Sequence, residues 1–404
     1  MAVDKRRHVV MLLENNPYPD DSRVRQEALA LTGAGYRVTV ICPLKPGQEK
    51  RQQLGGVSVR RFRLLRLGGG QLKYPIEYLA ALVTMLVHTI TIYFREGFDI
   101  LHMHNPPDIL ACIGLLARVL GKQVVFDQHD LAPEMYQVRF VRHRQLIYKA
   151  LCLSERLAYR VANITLATNV TQRNVQLTRG GISPERSFVV RNGPDLDRLN
   201  PVPVDKQLKP PEQVLVGYVG VMGPQDGVDC LLRAMDVLVH SMGEDQVRCL
   251  LIGDGDARPQ LTELVRELGL DDYVTFVGWV SDSQELSRYL SSMDICVEPA
   301  PSNVYNDTCT MIKVMEYMCF AKPVVVFDLP EHRYSAGEAA LYALPNDPVD
   351  LAEKIAMLIR DTARRQEMGR IGRERILKVL AWQHQVPNLL AAYRYLERSK
   401  ARRK

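Results

Sequence analysis

The chain lacks any C-x-x-C pair, and its eight cysteines (Cys42, Cys112, Cys152, Cys230, Cys249, Cys296, Cys309, Cys319) are scattered. Several lie inside apolar runs, so reduced core thiols in a cytoplasmic protein are expected, not a disulfide framework. No secretory leader is recognisable: Lys5, Arg6 and Arg7 lead straight into VVMLL, a run the length of a buried strand. The longest apolar stretch, Leu79 to Phe94, has 16 residues with His88 inside it, short of the roughly 20 that a spanning helix needs. A buried or interfacial helix is expected there. Zinc-finger spacing and RRM-type aromatic motifs are missing, which argues against a nucleic-acid partner. So are G-x-G-x-x-G and GK[ST], which removes a dinucleotide fingerprint and a P-loop. The absence of G-x-S-x-G argues against an α/β-hydrolase.

What is present is ordinary in amount and uneven in place. Apolar residues make up 47% and charged residues 24% of 404, enough for two domains with sizeable cores. Residues 1–200 hold 28 Lys and Arg against 17 Asp and Glu, whereas the remainder holds 24 against 29. A basic front half suits an acidic substrate or an anionic membrane surface.

Short β-branched runs alternate with helical patterns. In the first half these are 8–14, 37–43, 57–63, 99–104, 123–129, 164–168 and 187–192. Their nearly continuous apolar character predicts a parallel sheet buried on both faces. The segment SRVRQEALALTGAG reads as a helix with Ser22 as N-cap and Gly33 or Gly35 as stop. A Pro-rich stretch from Asn192 to Pro211 reads as a linker, followed by strands at 215–221, 247–255, 274–278, 295–300 and 323–328. The predicted organisation is α/β: two doubly wound domains, 1–195 and 196–380, facing each other across a cleft. Residues 381–404 form a last helix returning to the first domain, with a basic tail in which six of the final eleven residues are Lys or Arg.

Ligands of such sheets bind beyond the carboxyl ends of strands, and four ends are loaded. FDQHDLAPEMY offers His129, Asp130 and Glu134; HMHNPPD offers His102, His104, Asn105 and Asp108; IGDGD offers Asp254 and Asp256. GYVGVMGPQDGVD runs from a strand into a turn where Gly220, Gly223 and Gly227 let the backbone approach an anion. His102 and His104 point to one side of their strand, but two ligands without a third do not make a metal site. The richest segment is Asn306 to Asp328. Met311, Val314, Met315 and Met318 recur at helical spacing as a buried stripe, and Thr310, Lys313 and Glu316 share the other face. A helix start with a hydroxyl and a cation, and a carboxylate one turn on, suits phosphate and ribose. A plain surface helix with a Lys313–Glu316 pair satisfies the same pattern.

Taken together, the segments from DDSRVRQEALALTGAGYRVTVICP through VVRNGPDLDRLNP and LIGDGDARPQLTELVRELGLDDYVTFVGWV to NDTCTMIKVMEYMCFAKPVV resemble GT-B glycosyltransferases of the family-four type. HNPPD, FDQHDLAPE and GPQDG are similar to its bacterial exopolysaccharide and cell-surface glycan branch. The resemblance implies a retaining, metal-independent transferase using a UDP- or GDP-linked sugar, with no cofactor beyond that substrate. It implies a glycan or lipid-linked acceptor, with the basic front domain and residues 72–94 suiting an anionic inner membrane face. Glu316 matches the family's second motif glutamate, which grips ribose. The turn Thr308, Thr310, Met311, Ile312 matches the loop at the diphosphate and sugar. Gly220 and Gly223 match the turn beside the diphosphate, Val280 closes the segment framing the base, and His129 matches the histidine that reaches the transferred sugar. Arg23, Asp130 and Glu134 are expected on the acceptor side.

Departures accompany the match. Thr308 stands where the family has its first glutamate, with Asp307 the nearby substitute. The usual phosphate-clamping Arg and Lys fall at Val221 and Asp226, so the phosphate charge is expected to be met by Lys313, by backbone amides, or by Arg23 and Arg25. A GT-B sugar-nucleotide epimerase and a non-catalytic homologue acting as a partner are the alternatives.

Overall fold

The computed structural model describes residues 6–65, 74–140 and 144–401. Lys5, residues 72 and 73 of the apolar segment and the last three residues of the basic tail lie outside them. The chain divides into two compact units, residues 1–191 with 385–404, and residues 192–384.

Unit 1 is built on strands β1 (His8–Leu12), β2 (Arg37–Pro43), β3 (Arg51–Leu54), β4 (Val57–Phe62), β5 (Ile100–His104), β6 (Gln123–Gln128), β7 (Ile164–Ala167) and β8 (Ser187–Val189). They lie in the order β3-β4-β2-β1-β5-β6-β7-β8, parallel except for the antiparallel β3–β4 pair. Every residue of β1, β5 and β6 is buried, as an apolar run covered on both faces must be. The helices are α1 (Ser22–Gly33), α2 (Tyr74–Arg95), α3 (Ala111–Val119), α4 (Ala132–Arg139), α5 (Gln145–Val161) and α6 (Val170–Thr178). Helix α1 is capped by Asp21, whose carboxylate accepts the Val24 N–H, and not by Ser22; the carboxylate is the stronger acceptor for the open amides of a first turn. Alternate residues Val10, Leu12, Leu101, Met103, Val124 and Phe126 form one core with Met85 and Ile92 of α2, Ile113 of α3 and Ala158 of α5. Those three helices therefore cover a single face of the sheet.

Unit 2 contains β9 (Val214–Val219), β10 (Val247–Ile252), β11 (Val274–Gly278), β12 (Ile295–Glu298), β13 (Val324–Phe327) and β14 (Ala340–Ala343). All pair in parallel, in the order β11-β10-β9-β12-β13-β14. Counted within the unit this is 3-2-1-4-5-6, the order of dinucleotide-binding sheets, and it reverses between β9 and β12. The helices are α7 (Val228–Asp236), α8 (Arg258–Glu267), α9 (Ser283–Ser292), α10 (Ile312–Cys319), α11 (Pro330–Ala336), α12 (Pro348–Arg360) and α13 (Thr362–Arg375). The last helix, α14 (Val386–Ala401), belongs to unit 1. There Tyr393 Oη lies 2.9 Å from His102 Nδ1, and the Leu396 carbonyl accepts from Gln123.

Candidate functional site

In unit 2 the chemistry gathers where the strand order reverses, beyond the carboxyl ends of β9 and β12. After β9 the chain turns at Gly220, whose φ is 154°, and at Gly227, whose φ is 68°. Gly227 tolerates no side chain, since a Cβ there would lie 2.1 Å from the Pro299 carbonyl oxygen. Between them Asp226 Oδ2 accepts the Gly223 N–H at 3.0 Å and closes the turn. Lys313, the second residue of α10, reaches into it from the other side of the reversal. Its Nζ donates to Tyr218 Oη at 2.9 Å and lies 3.3 Å from Asp226 Oδ1 and 3.2 Å from Glu298 Oε2. The ammonium also sits 4.5 Å from the centroid of the Tyr218 ring, and a Cβ on Gly220 would be 3.2 Å from it.

One cation thus faces two carboxylates. Burial works against the Lys313 charge, but Glu298, Tyr218 and Asp226 reverse this and raise its pKa. Glu298 is wholly buried, and burial pushes its carboxyl up to about 7 despite the lysine beside it. Neither Glu298 oxygen has a hydrogen bond of good geometry, and Asp307 Oδ1 is buried without a partner. No side chain caps the start of α10.

Several expectations change at this site. Helix α10 starts at Ile312, so Thr310 and Met311 precede it and Thr310 does not share a helical face with Lys313 and Glu316. The hydroxyl of Thr310 instead points to Glu331, at 3.4 Å. Thr308 ends a 3-10 turn, donating its hydroxyl to the Tyr305 carbonyl at 2.7 Å and its N–H to the same oxygen at 3.0 Å. Its amide and hydroxyl are therefore spent inside the turn, because a chain reversing this tightly satisfies its own donors first. Helix α10 is no surface helix: Val314, Met315, Tyr317, Met318 and Cys319 are buried, while Met311 is half-buried. Lys313 pairs with Glu298 and Asp226, not with Glu316. Glu316 is half-buried one turn further on, and burial raises its pKa against the pull of Lys313 and Arg198. Val280 lies just past β11 and packs with Val277 on the core beneath α10.

In unit 1 the motifs HMHN and FDQHD meet because β5 and β6 pair in register, with His104 opposite Asp127. Asp127 Oδ2 lies 3.1 Å from His104 Nδ1 and 2.8 Å from His129 Nε2. Arg23 of α1 grips the same carboxylate with two bonds, Nε at 2.8 Å and Nη2 at 2.6 Å, and pairs with Glu27 at 3.1 Å. Asn105 fixes the next turn: its Oδ1 accepts the His129 N–H at 2.5 Å and its Nδ2 donates to the Asp130 carbonyl at 2.7 Å. Burial opposes ionisation of Asp127, yet Arg23 and then His129 hold its carboxyl well below the usual range. Burial lowers the pKa of both His102 and His104.

A further expectation is corrected here. Arg23 is 3% exposed and committed to Asp127 and Glu27, so neither a phosphate nor an acceptor can reach its charge. Glu134 is bound to Arg179, which also holds Glu155 at 2.7 Å, so it braces α4 against its neighbours. His129 and Asp130 stay half-buried at the strand end. The ligand atoms of Glu27, His102, His104 and Asp127 fall within 4.8 Å of one another, so the histidine pair does acquire further metal-type neighbours. The Arg23 guanidinium already supplies the positive charge these carboxylates need. Tyr218, Glu298, Asp127 and Glu27 were not foreseen. The available signal was a carboxylate inside an apolar strand, ICVE and VVFD, which needs a buried partner.

Residues 22–198 match the family model described as Glycosyltransferase Family 4, and residues 213–361 match that described as Glycosyl transferases group 1. Each part of the chain thus matches a glycosyltransferase family model, and with its two Rossmann-like sheets the chain has the GT-B fold. It is similar to sulfoquinovosyl transferase SQD2 of Arabidopsis thaliana, 24% identical over 289 residues, which are 68% of this chain and 52% of that protein. The chain spans about half the length of the first curated relatives it matches. The fold is shared with sucrose-phosphate synthase from Thermosynechococcus elongatus, at a TM-score of 0.81 and 21% identity, over 98% of this chain and 100% of that one. It is shared too with Anabaena Alr3699/HepE, solved with UDP and glucose, at a TM-score of 0.71 and 15% identity, over 97% and 99%.

Proposed function

We propose that this chain transfers a sugar from a nucleotide-diphosphate donor, UDP- or GDP-linked, to a glycan or lipid-linked acceptor. The reaction retains anomeric configuration, needs no metal, and serves surface polysaccharide or glycoconjugate synthesis in the cytoplasm at the inner membrane face. The observation behind this reading is Lys313, held beside Gly220 where the sheet of unit 2 reverses. The Anabaena neighbour's complexes with UDP and UDP-glucose support the donor class.

Breaking the anomeric C–O bond puts negative charge on the departing diphosphate, so donors aimed at that charge are the main lever. Lys313, the Gly220–Gly223 turn and the uncapped start of α10 meet the diphosphate, and Glu316 takes the ribose hydroxyls. Val280 frames the base and Asp307 receives a sugar hydroxyl. The acceptor oxygen bonds to the anomeric carbon on the face the phosphate leaves, and its proton passes to the departing phosphate oxygen. No protein base is therefore assigned. In unit 1 the Nε2 of His129 is committed to Asp127, which fixes the ring at the end of its strand.

Incubating the chain with UDP- and GDP-hexoses and candidate acceptors tests this: released nucleoside diphosphate must track new glycoside. Glu316→Ala is expected to weaken donor binding about 10- to 100-fold, the loss of charge-assisted hydrogen bonds. Full-rate transfer by that variant removes this donor site, and donor epimerised without acceptor replaces transfer with epimerisation.

A further inference from the structure

Helix α2 carries no charged residue between Tyr78 and Phe94. Ala81, Met85, Thr89 and Ile92 face the sheet and are buried. Ile76, Leu79, Val83, Val87 and Phe94 are 52–78% exposed. At 3.6 residues per turn these five stand on the side of the helix opposite Met85, away from the sheet. A 20-residue stretch, Ile76–Arg95, is long and apolar enough to cross a membrane, which exceeds the run expected from sequence. Its buried stripe is part of the unit 1 core, however, so it lies along the sheet as one of its covering helices.

The neighbouring helices on the same face repeat the arrangement. On α3, Cys112, Leu115 and Val119 are exposed opposite buried Gly114 and Ala117. On α5, Leu146 and Leu153 are 81% and 67% exposed, interleaved with exposed Lys149, Arg156 and Arg160, while its one acid, Glu155, is buried. Apolar side chains at one end of the layer thus continue into a cationic apolar stripe at the other.

We propose that the outer face of α2, α3 and α5 docks in the plane of an anionic lipid bilayer. The apolar residues of α2 and α3 enter the headgroup–acyl boundary and Lys149, Arg156 and Arg160 meet anionic headgroups. Charge decides the occupant. A second copy seated on this face would bring these cations no acid from α5, whose Glu155 is buried, whereas an anionic surface complements them. The inference goes beyond the transfer reaction, because it names the surface that brings unit 1 to its acceptor's phase.

The test is flotation of the full chain with vesicles of phosphatidylglycerol mixed into phosphatidylcholine, against phosphatidylcholine alone. The chain should float with the anionic vesicles and be released by salt, since each basic residue near the surface is worth about fivefold in partition. Val83→Asp with Val87→Asp should lower partition at least about tenfold, with unchanged melting and secondary structure. Lys149→Glu with Arg156→Glu, which leaves the apolar face intact, should lose only the anionic preference. A chain that stays unbound with both vesicle types overturns the proposal. So does a dimer in sedimentation that either double variant dissociates, which assigns the face to a second copy. Sugar transfer to a soluble acceptor is read separately, so failure here does not touch the proposed reaction.

Discussion

Each unit buries a cation between two carboxylates, yet the two clusters are built for different ends. In unit 1 the cation is Arg23, planar and bidentate to Asp127, with every member 3% exposed or less. In unit 2 it is Lys313, a point charge on a flexible stem, with its side chain 14% exposed and its partner Asp226 15% exposed. A guanidinium fork fixes the angle between two groups, while an ammonium can be passed from one acceptor to another with little reorientation. Arg23 therefore ties α1 to β6 and orients His129 through Asp127. In the proposed reaction Lys313 is the cation that an incoming phosphate draws from its carboxylates.

Removing the cations separates the two most sharply. Arg23→Met leaves Asp127 and Glu27 buried without a counter-charge and should cost about 3–5 kcal/mol of stability, read by urea unfolding. Adding Asp127→Asn to that variant should restore part of the loss. Lys313→Met should instead lower kcat about 10²–10³-fold, the scale for losing one donor to a developing charge. Its stability should fall less, because Glu298 can take up a proton and Asp226 keeps some contact with water. Lys313→Arg should rescue poorly, since the fork does not fit a site shaped around a single nitrogen. Equal unfolding penalties for Arg23→Met and Lys313→Met would erase the distinction.

Acidity gives the smallest and most selective separation. The Glu298 carboxyl is raised from 4.5 to about 7, so the folded chain binds its proton more tightly than the unfolded chain does. The stability it contributes is present below pH 4.5 and is lost as pH rises through about 7, on the order of 3 kcal/mol in all. Glu298→Gln should flatten that part of the stability profile. The depressed Asp127 behaves oppositely: its contribution is intact above its ordinary 3.8 and lost only as pH falls below it. A wild-type profile between pH 4.5 and 7 that the Gln variant leaves unchanged would show that Glu298 is not the group responsible.

Much of this arrangement was legible in the sequence. Nearly continuous β-branched runs announced the buried parallel strands, and 274–278 matches β11 at both ends. Strand β3 was missed because RQQL is half exposed and polar, an edge partner with no apolar signal, and β14 because ALYA is short and alanine-rich. Gly220, Gly223 and Lys313, which the structure brings to one strand end, stood out in the sequence because a glycine turn after a strand and a cation at a helix start are local patterns. Asp127 and Glu298 were not, because the meaning of a buried carboxylate lies in its neighbours across the sheet, and pairing register is a long-range property. Arg23 misled for the same reason: a basic residue near the front says nothing of whether its charge is already taken.

The return of α14 to unit 1 has a consequence for how the molecule is made. Residues 192–384 are synthesised between the two parts of unit 1, so a ribosome working at about 5–20 residues per second spends roughly 10–40 s on them. Unit 2 has all its strands before Tyr393 and Leu396 arrive to cover His102 and Gln123. Throughout that interval the part of the first sheet around His102 and Gln123 waits for its covering helix. The part of the chain translated first is the last to be sealed, and it is the nascent half that a chaperone would be called on to shield.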